Sequence, residues 1–157
     1  MLQRTKLSSA LPVALVAALS LSAVGCTDDQ DPEGAATLYE ELQAADYRSW
    51  ARAPGYEARR SSSAPHGGEV DIYVNEVVAS ALGAGEPLEA WPEGSLIVKD
   101  GWDGSELELI AAMEKRSDGW YWAEWDGEGS SLYSGKPELC TDCHASGDDY
   151  VRAFGFP

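Results

Sequence analysis

Two cysteines and a histidine near the end of the chain have a spacing that indicates a specific chemistry. Cys140-Thr-Asp-Cys143-His144 places two thiols three residues apart, with an imidazole directly after the second. In the c-type attachment motif the two thiols add across the vinyl groups of a haem, and the adjacent histidine becomes the proximal iron ligand. With only three Cys and two His in the chain, a chance match is expected in fewer than about one in a thousand such sequences. The motif therefore predicts one covalently attached haem c.

Three other uses of this motif are less favoured. A structural zinc site needs about four ligands, and the chain offers only His66 besides these residues once Cys26 is assigned elsewhere. A thioredoxin-like dithiol normally follows a strand in a βαβ unit, whereas Cys140 and Cys143 follow Ser134-Gly-Lys-Pro near the C-terminus. A simple structural disulfide is the least favoured use.

The third cysteine, Cys26, ends a segment that is typical of an export signal. Arg4 and Lys6 precede an apolar run over 11–24, which is too short and too rich in alanine to favour a spanning helix. Small residues directly before Cys26 resemble the lipobox of bacterial lipoproteins, and plain secretion with a free thiol is the alternative. We expect residues 1–25 to be a signal peptide and Cys26 to be lipidated. The protein would then be exported to the periplasm or cell envelope and held at the membrane by the lipid alone.

Length and charge restrict what the mature chain can be. The 157 residues suffice for one domain, which we place at 37–157 after an acidic tether over 26–36. The net charge of −16 argues against nucleic-acid binding, which depends on cations that neutralise phosphates. It suits a basic electron-transfer partner.

The chain beyond the tether alternates between helical and strand patterns. Short strands separated by Gly and Asp turns favour antiparallel pairing, because parallel pairing needs long crossovers. The predicted fold is therefore α+β, a mainly antiparallel sheet with flanking short helices around the haem. The predicted helices are 37–50 and 75–82, the second capped by Asn75 and stopped by Gly83, and the strands are 70–74, 94–100, 106–115 and 120–125.

The residue that binds iron opposite His144 decides the function. Two strong protein ligands favour electron transfer, whereas an open position binds small molecules. His66 and Met113 are the conventional candidates for a second ligand. His66 lies in a Pro-His-Gly-Gly turn typical of a surface residue, and Met113 lies in an apolar run typical of a core. The sequence therefore favours an open or weakly occupied iron site.

Further short motifs surround the haem motif in a characteristic order over roughly 50–154. The motifs are Ser63-Ala-Pro-His-Gly67, Tyr73-Val-Asn75, Gly94-Ser-Leu-Ile-Val-Lys-Asp100, Met113-Glu-Lys115, Trp120-Tyr-Trp-Ala-Glu-Trp125, Ser134-Gly-Lys136 and Asp149-Tyr-Val151. In this order and spacing the chain resembles the cytochrome P-460 family, which includes the gas-binding c-prime-beta cytochromes. The resemblance implies a mainly antiparallel sheet with flanking helices around one haem, and homodimers.

The resemblance also implies roles for individual residues. Lys99 matches the lysine that P-460 cytochromes link covalently to a haem meso carbon. The family's distal arginine and acid fall at Val70 and near Ile110 or Ala111, none of which can carry protons. Glu108 shares a strand face with Ile110 and is the candidate acid if that register is shifted. A distal pocket lined only by apolar groups would suit NO or CO better than hydroxylamine.

Three functions follow as expectations. The first is a P-460-like oxidoreductase that acts on hydroxylamine or NO, with Lys99 linked to the haem. The second is a c-prime-beta-like module that binds NO or CO without turnover. The third is a monohaem electron carrier in which His66 or Met113 closes the sixth iron position.

Overall fold

The computed structural model describes residues 30–157. The predicted signal peptide, the lipidation site Cys26 and the first residues of the tether lie outside the described residues. Within the described part, none of the helices combines the length and apolar character that crossing a membrane requires.

A seven-stranded antiparallel sheet dominates the described residues. The strand order is β1-β3-β4-β5-β6-β7, with β2 also paired to β3, and three α-helices flank the sheet. The predicted α+β fold is confirmed. The elements in chain order are α1 (Pro32–Ala44), a 3₁₀ turn (Tyr47–Ser49), β1 (Ala51–Arg52), β2 (Arg60–Ser61), β3 (Glu69–Val74), α2 (Glu76–Ala84), β4 (Leu96–Asp103), β5 (Glu106–Arg116), β6 (Gly119–Asp126), β7 (Ser131–Gly135) and α3 (Glu138–His144).

The first helix begins earlier than its apolar spacing predicted. Asp31 accepts a hydrogen bond from Gly34 N at 2.9 Å, and Pro32 opens the helix, where its missing N–H costs nothing. The Asp31 amide donates to Ser134 Oγ on β7 at 2.9 Å. Residues 32–36, which the sequence assigned to the tether, are therefore helical. The helix also ends at Ala44, before a left-handed Asp46 (φ 47°) and the separate 3₁₀ turn.

The second helix follows its sequence signals closely. Asn75 Oδ1 accepts a hydrogen bond from Val78 N, as the predicted cap requires. The helix ends at Ala84 with Gly85 in the left-handed conformation (φ 66°). Gly85, and not Gly83, is therefore the stop, because the left-handed position is the one that favours glycine.

The sheet separates two apolar layers through the strict alternation of its strands. On one face, α1 covers Tyr73, Val98 and Trp125. On the other face, Ile72, Ile97, Met113, Trp120 and Trp122 pack with the C-terminal segment, including Cys140 and Val151. The first is the helix face of the sheet and the second is its cavity face.

A buried carboxylate fastens the 3₁₀ turn to the helix face. The Asp100 side chain is fully buried and accepts hydrogen bonds from Tyr47 Oη at 2.6 Å and Arg48 Nε at 2.7 Å. Burial, reinforced by Asp100, raises the pKa of Tyr47 far above its usual range. Tyr47 therefore stays protonated and donates this bond at every physiological pH.

Replacing Asp100 by alanine is expected to lower the free energy of unfolding by about 3 kcal/mol, because it leaves the Arg48 charge and the Tyr47 hydroxyl without their buried acceptor. Denaturant unfolding measures this change. Asp118→Ala is the control, since its ion pair with Lys136 is largely exposed and contributes little. Equal unfolding midpoints for the two variants would contradict the prediction.

Candidate functional site

A large cavity lies on the cavity face of the sheet. Its volume is about 780 Å³, within the range of roughly 300–1,000 Å³ typical of ligand sites. Side chains of β3 to β6 form its floor, while α3 and the loop over 62–68 lie at its sides. The chemically active residues that line it are His66, Lys99, Glu124, Cys140, Cys143, His144 and Arg152.

The imidazole of His144 is oriented by a backbone carbonyl. His144 lies at the end of α3, and its Nδ1 is 2.9 Å from the Tyr150 carbonyl oxygen. Because a carbonyl oxygen only accepts, Nδ1 carries the proton and Nε2 keeps its lone pair. Burial lowers the pKa of His144, which favours this neutral form. The ring also packs against Trp122, with 4.6 Å between the ring centroids.

A strained turn holds that carbonyl in position. Asp149 and Tyr150 both have left-handed backbones (φ 47° and 69°), which is costly for residues other than glycine. Lys115 Nζ donates to both carboxylate oxygens of Asp149, at 2.9 and 2.8 Å. The Trp91 amide donates to Asp149 Oδ2, and Trp91 Nε1 donates to the Asp148 carbonyl. These contacts clamp the turn that orients His144, a support typical of metal-ligating histidines.

The two cysteines reach the cavity from α3. Cys140 is half-buried beside the apolar layer of the cavity face, and Cys143 is exposed. No disulfide joins them. Arg152 Nη1 donates to the Cys143 carbonyl at 3.0 Å and lies 3.1 Å from Cys143 Sγ, so the last turn of α3 is tied to the C-terminal segment.

A lysine and a glutamate lie in one row across the cavity floor. Lys99 on β4 pairs with Ala111 on β5, and Ala111 pairs with Glu124 on β6. Directly paired residues point to the same face of a sheet, so only a methyl group separates the two charged side chains. Burial lowers the pKa of Lys99, although the Glu124 charge acts in the opposite direction. A lower pKa increases the fraction of neutral, nucleophilic amine.

Two glycines bring the loop that carries His66 onto the sheet. A Cβ at Gly101 would lie 2.2 Å from the His66 carbonyl oxygen, and a Cβ at Gly67 (φ 106°) would lie 2.7 Å from the Gly101 Cα. Only glycines permit this approach. His66 Nδ1 then lies 2.7 Å from Glu124 Oε2, and the His66 and His144 ring centroids are 6.3 Å apart. His66 is therefore a cavity residue and not the surface residue that its turn sequence suggested.

The two remaining candidates are Met113 and Glu108. Met113 also lines the cavity, but it is buried in the apolar layer of the cavity face and paired with Trp122 across the strands, as a core methionine would be. Glu108 is exposed and is not among the residues that line the cavity, and its role as a distal acid stays a prediction.

Sequence reasoning missed the acid that does line the cavity. Glu124 lies within the Trp120–Trp125 stretch, whose aromatic residues predicted simple core filling, and the cavity is not lined only by apolar groups. The signal available was alternation, since Glu124 shares its strand face with Trp122 and not with Trp125. The roles of Lys115 and of the Tyr150 carbonyl had no signal in the sequence, because they depend on contacts between distant segments.

This donor set suits a covalently attached haem. The cavity combines an apolar floor with two thiols and an oriented imidazole at one side, as porphyrin attachment and iron ligation require. Within residues 30–157, no group of three or more His, Cys, Asp or Glu side chains is arranged to hold a metal ion by itself. The two thiols and the imidazole at the cavity fit a haem, which Cys140, Cys143 and His144 would hold.

Comparisons with known proteins agree with this site. The family model described as Cytochrome P460 matches residues 44–152, which is most of the chain and includes every lining residue of the cavity except Ala153. No curated protein and no solved structure matches the chain.

Proposed function

Because this chain belongs to the cytochrome P460 family, we propose that it is a c-type haem protein that oxidises hydroxylamine on the side of its iron opposite His144. Family membership implies a haem cofactor and suggests action on nitrogen compounds. The finer proposal depends on one observation, a carboxylate and an imidazole in hydrogen-bond contact on the cavity wall, Glu124 and His66.

The haem would supply the redox chemistry, accepting electrons from the bound nitrogen compound. Cys140 and Cys143 would attach the group, and the Nε2 lone pair of His144 would ligate its iron. The Tyr150 carbonyl and the Lys115–Asp149 pair would keep that imidazole neutral and correctly turned. These residues hold the cofactor and do not themselves react with the substrate.

Glu124 would accept the protons that hydroxylamine releases. Oxidation of hydroxylamine removes protons together with electrons, so a basic group beside the substrate lowers the barrier. The Glu124 side chain is 17% exposed and lines the cavity, which is suitable for a base that exchanges protons with solvent. A cavity lined only by apolar groups would favour simple NO or CO binding, whereas this lining includes Glu124, His66 and Lys99.

The released electrons must leave through a partner protein. We propose a basic electron-transfer protein, because the chain carries a net charge of −16 and opposite charge accelerates encounter. Export and lipidation at Cys26 would bring both proteins to the same compartment.

Purified holoprotein is expected to reduce an artificial electron acceptor when hydroxylamine is added, and peptide mapping is expected to find haem on Cys140 and Cys143. Acceptor reduction is followed optically on the holoprotein, and mass spectrometry of its proteolytic peptides locates the haem. Binding of NO or CO without any hydroxylamine-dependent acceptor reduction would instead identify a gas-binding module, and the oxidoreductase proposal would fail.

A further inference from the structure

We propose that His66 is the second axial ligand of the resting haem iron, so that an incoming nitrogen compound must first displace it. This inference rests on the proposed haem and deepens the proposed function, because it states what controls access to the iron. It differs from the sequence analysis, which favoured an open or weakly occupied iron site.

The tautomer of His66 provides the first support. The Glu124 carboxylate accepts a hydrogen bond from His66 Nδ1 at 2.7 Å, so Nδ1 carries a proton, and in the neutral imidazole Nε2 has a free lone pair. His144 has the same arrangement, with the Tyr150 carbonyl as its acceptor. An acceptor on the far nitrogen is the usual support of a metal-ligating histidine, and both cavity histidines have one.

The spacing of the two rings provides the second support. Two imidazoles that bind one metal ion from opposite sides, each with a metal–nitrogen bond of about 2 Å, have ring centroids about 6 Å apart. The observed separation of His66 and His144 is 6.3 Å, with 63° between the ring planes. Two rings much further apart than this could not both bind one iron.

The backbone holds His66 at this distance. The close approach between Gly67 and Gly101 places the His66 carbonyl directly on β4. The alternative ligand, Met113, lines the same cavity, but it is packed in the apolar layer of the cavity face beside Trp122. Of the two conventional candidates, His66 is therefore the one that the fold presents to His144.

The two histidines are held unequally, which decides which one leaves. His144 ends a helix and is oriented by a turn that Lys115, Asp149 and Trp91 clamp. His66 lies in a largely exposed loop, and Glu124 is its side chain's one hydrogen-bond partner among the described residues. Loops with few contacts open at low cost, so a ligand displaces His66 and leaves His144 in place. Glu124 is then free to accept a proton from the bound compound.

Optical and electron paramagnetic resonance spectra of the holoprotein test the ligation. The wild type and Met113→Leu are both expected to be low-spin and six-coordinate. His66→Ala is expected to be high-spin, and added imidazole is expected to restore the low-spin spectrum. A low-spin spectrum that persists in His66→Ala, or a high-spin wild type, would overturn the inference.

Carbon monoxide binding to the ferrous protein tests the displacement. In the wild type the binding rate is expected to reach a plateau as the CO concentration rises, since His66 must leave first. In His66→Ala the rate should rise linearly and exceed that plateau by on the order of tenfold or more, because the binding-competent fraction is no longer limiting. Linear CO binding in a low-spin wild type would contradict displacement.

The same samples separate this inference from the proposed function. A high-spin wild type that oxidises hydroxylamine would refute His66 ligation and leave the function standing. The wild type could instead be low-spin and His66→Ala high-spin, while the protein binds no CO and oxidises no hydroxylamine. This result would support His66 ligation and refute both the displacement of His66 and the oxidoreductase function. The protein would then be an electron carrier.

Discussion

Glu124→Gln is expected to lower kcat for hydroxylamine oxidation by about 10²- to 10⁴-fold, the usual contribution of a positioned general base. The amide oxygen of glutamine still accepts the hydrogen bond from His66 Nδ1, so the loop keeps its position. The amide cannot take up a proton, and KM should change far less than kcat. Steady-state assays with an artificial electron acceptor give both constants.

Glu108→Gln is the matched control for this experiment. It makes the same chemical change on the neighbouring strand, but its side chain is exposed and does not line the cavity. Its kcat is expected to equal that of the wild type. If Glu124→Gln retained the wild-type kcat, Glu124 would not be the proton acceptor, and a loss of activity in Glu108→Gln would instead identify Glu108 as the distal acid.

Lys99 is expected to be bonded to the haem in the mature protein. Proteolysis followed by tandem mass spectrometry should yield a species in which the Lys99 peptide and the Cys140–Cys143 peptide share one haem. The bond joins Nζ to a haem meso carbon and replaces one N–H and one C–H. An external oxidant such as a peroxide must therefore accept two protons and two electrons during its formation.

The environment of Lys99 favours this bond because its burial lowers the pKa of the ammonium group. A larger fraction of the side chain is then a neutral amine, the form that acts as a nucleophile. Lys99→Met should abolish the joined peptide and leave the thioether bonds intact. Lys136→Met, which removes an exposed lysine paired with Asp118, should retain it. A wild-type haem peptide without Lys99 would exclude the crosslink.

Strands β3 to β6 and helix α2 could be predicted because their signals are local. Alternation along each strand and the Asn75 cap depend only on neighbouring residues. The start of α1 was missed because the acidic composition of residues 27–35 resembles a tether. The sequence does contain the helix-start signal Asp31-Pro32. A hydrogen bond from the Asp31 amide to Ser134 on β7 stabilises the extra turn.

In the candidate site, too, the residues with a local sequence signal could be predicted and the others could not. The haem motif could be recognised because thioether attachment and iron ligation require Cys140, Cys143 and His144 within one short helical segment. The distal acid could not be assigned, because the family resemblance placed its position at Ile110 or Ala111 on β5. The pairing of β5 with β6 places a glutamate beside Ala111 from the next strand.

The sequence by itself therefore predicted a haem cofactor, the α+β class and the family, since each follows from the order of residues along the chain. Only the tertiary structure decided which side chains line the cavity. Strand register selects which side chains share the cavity, and it brings Lys99 and Glu124 into one row. The contact between Gly67 and Gly101 makes His66 a cavity residue. The strand register and the contact between Gly67 and Gly101 both depend on pairing between segments that are distant in the chain, and local patterns do not encode such pairing.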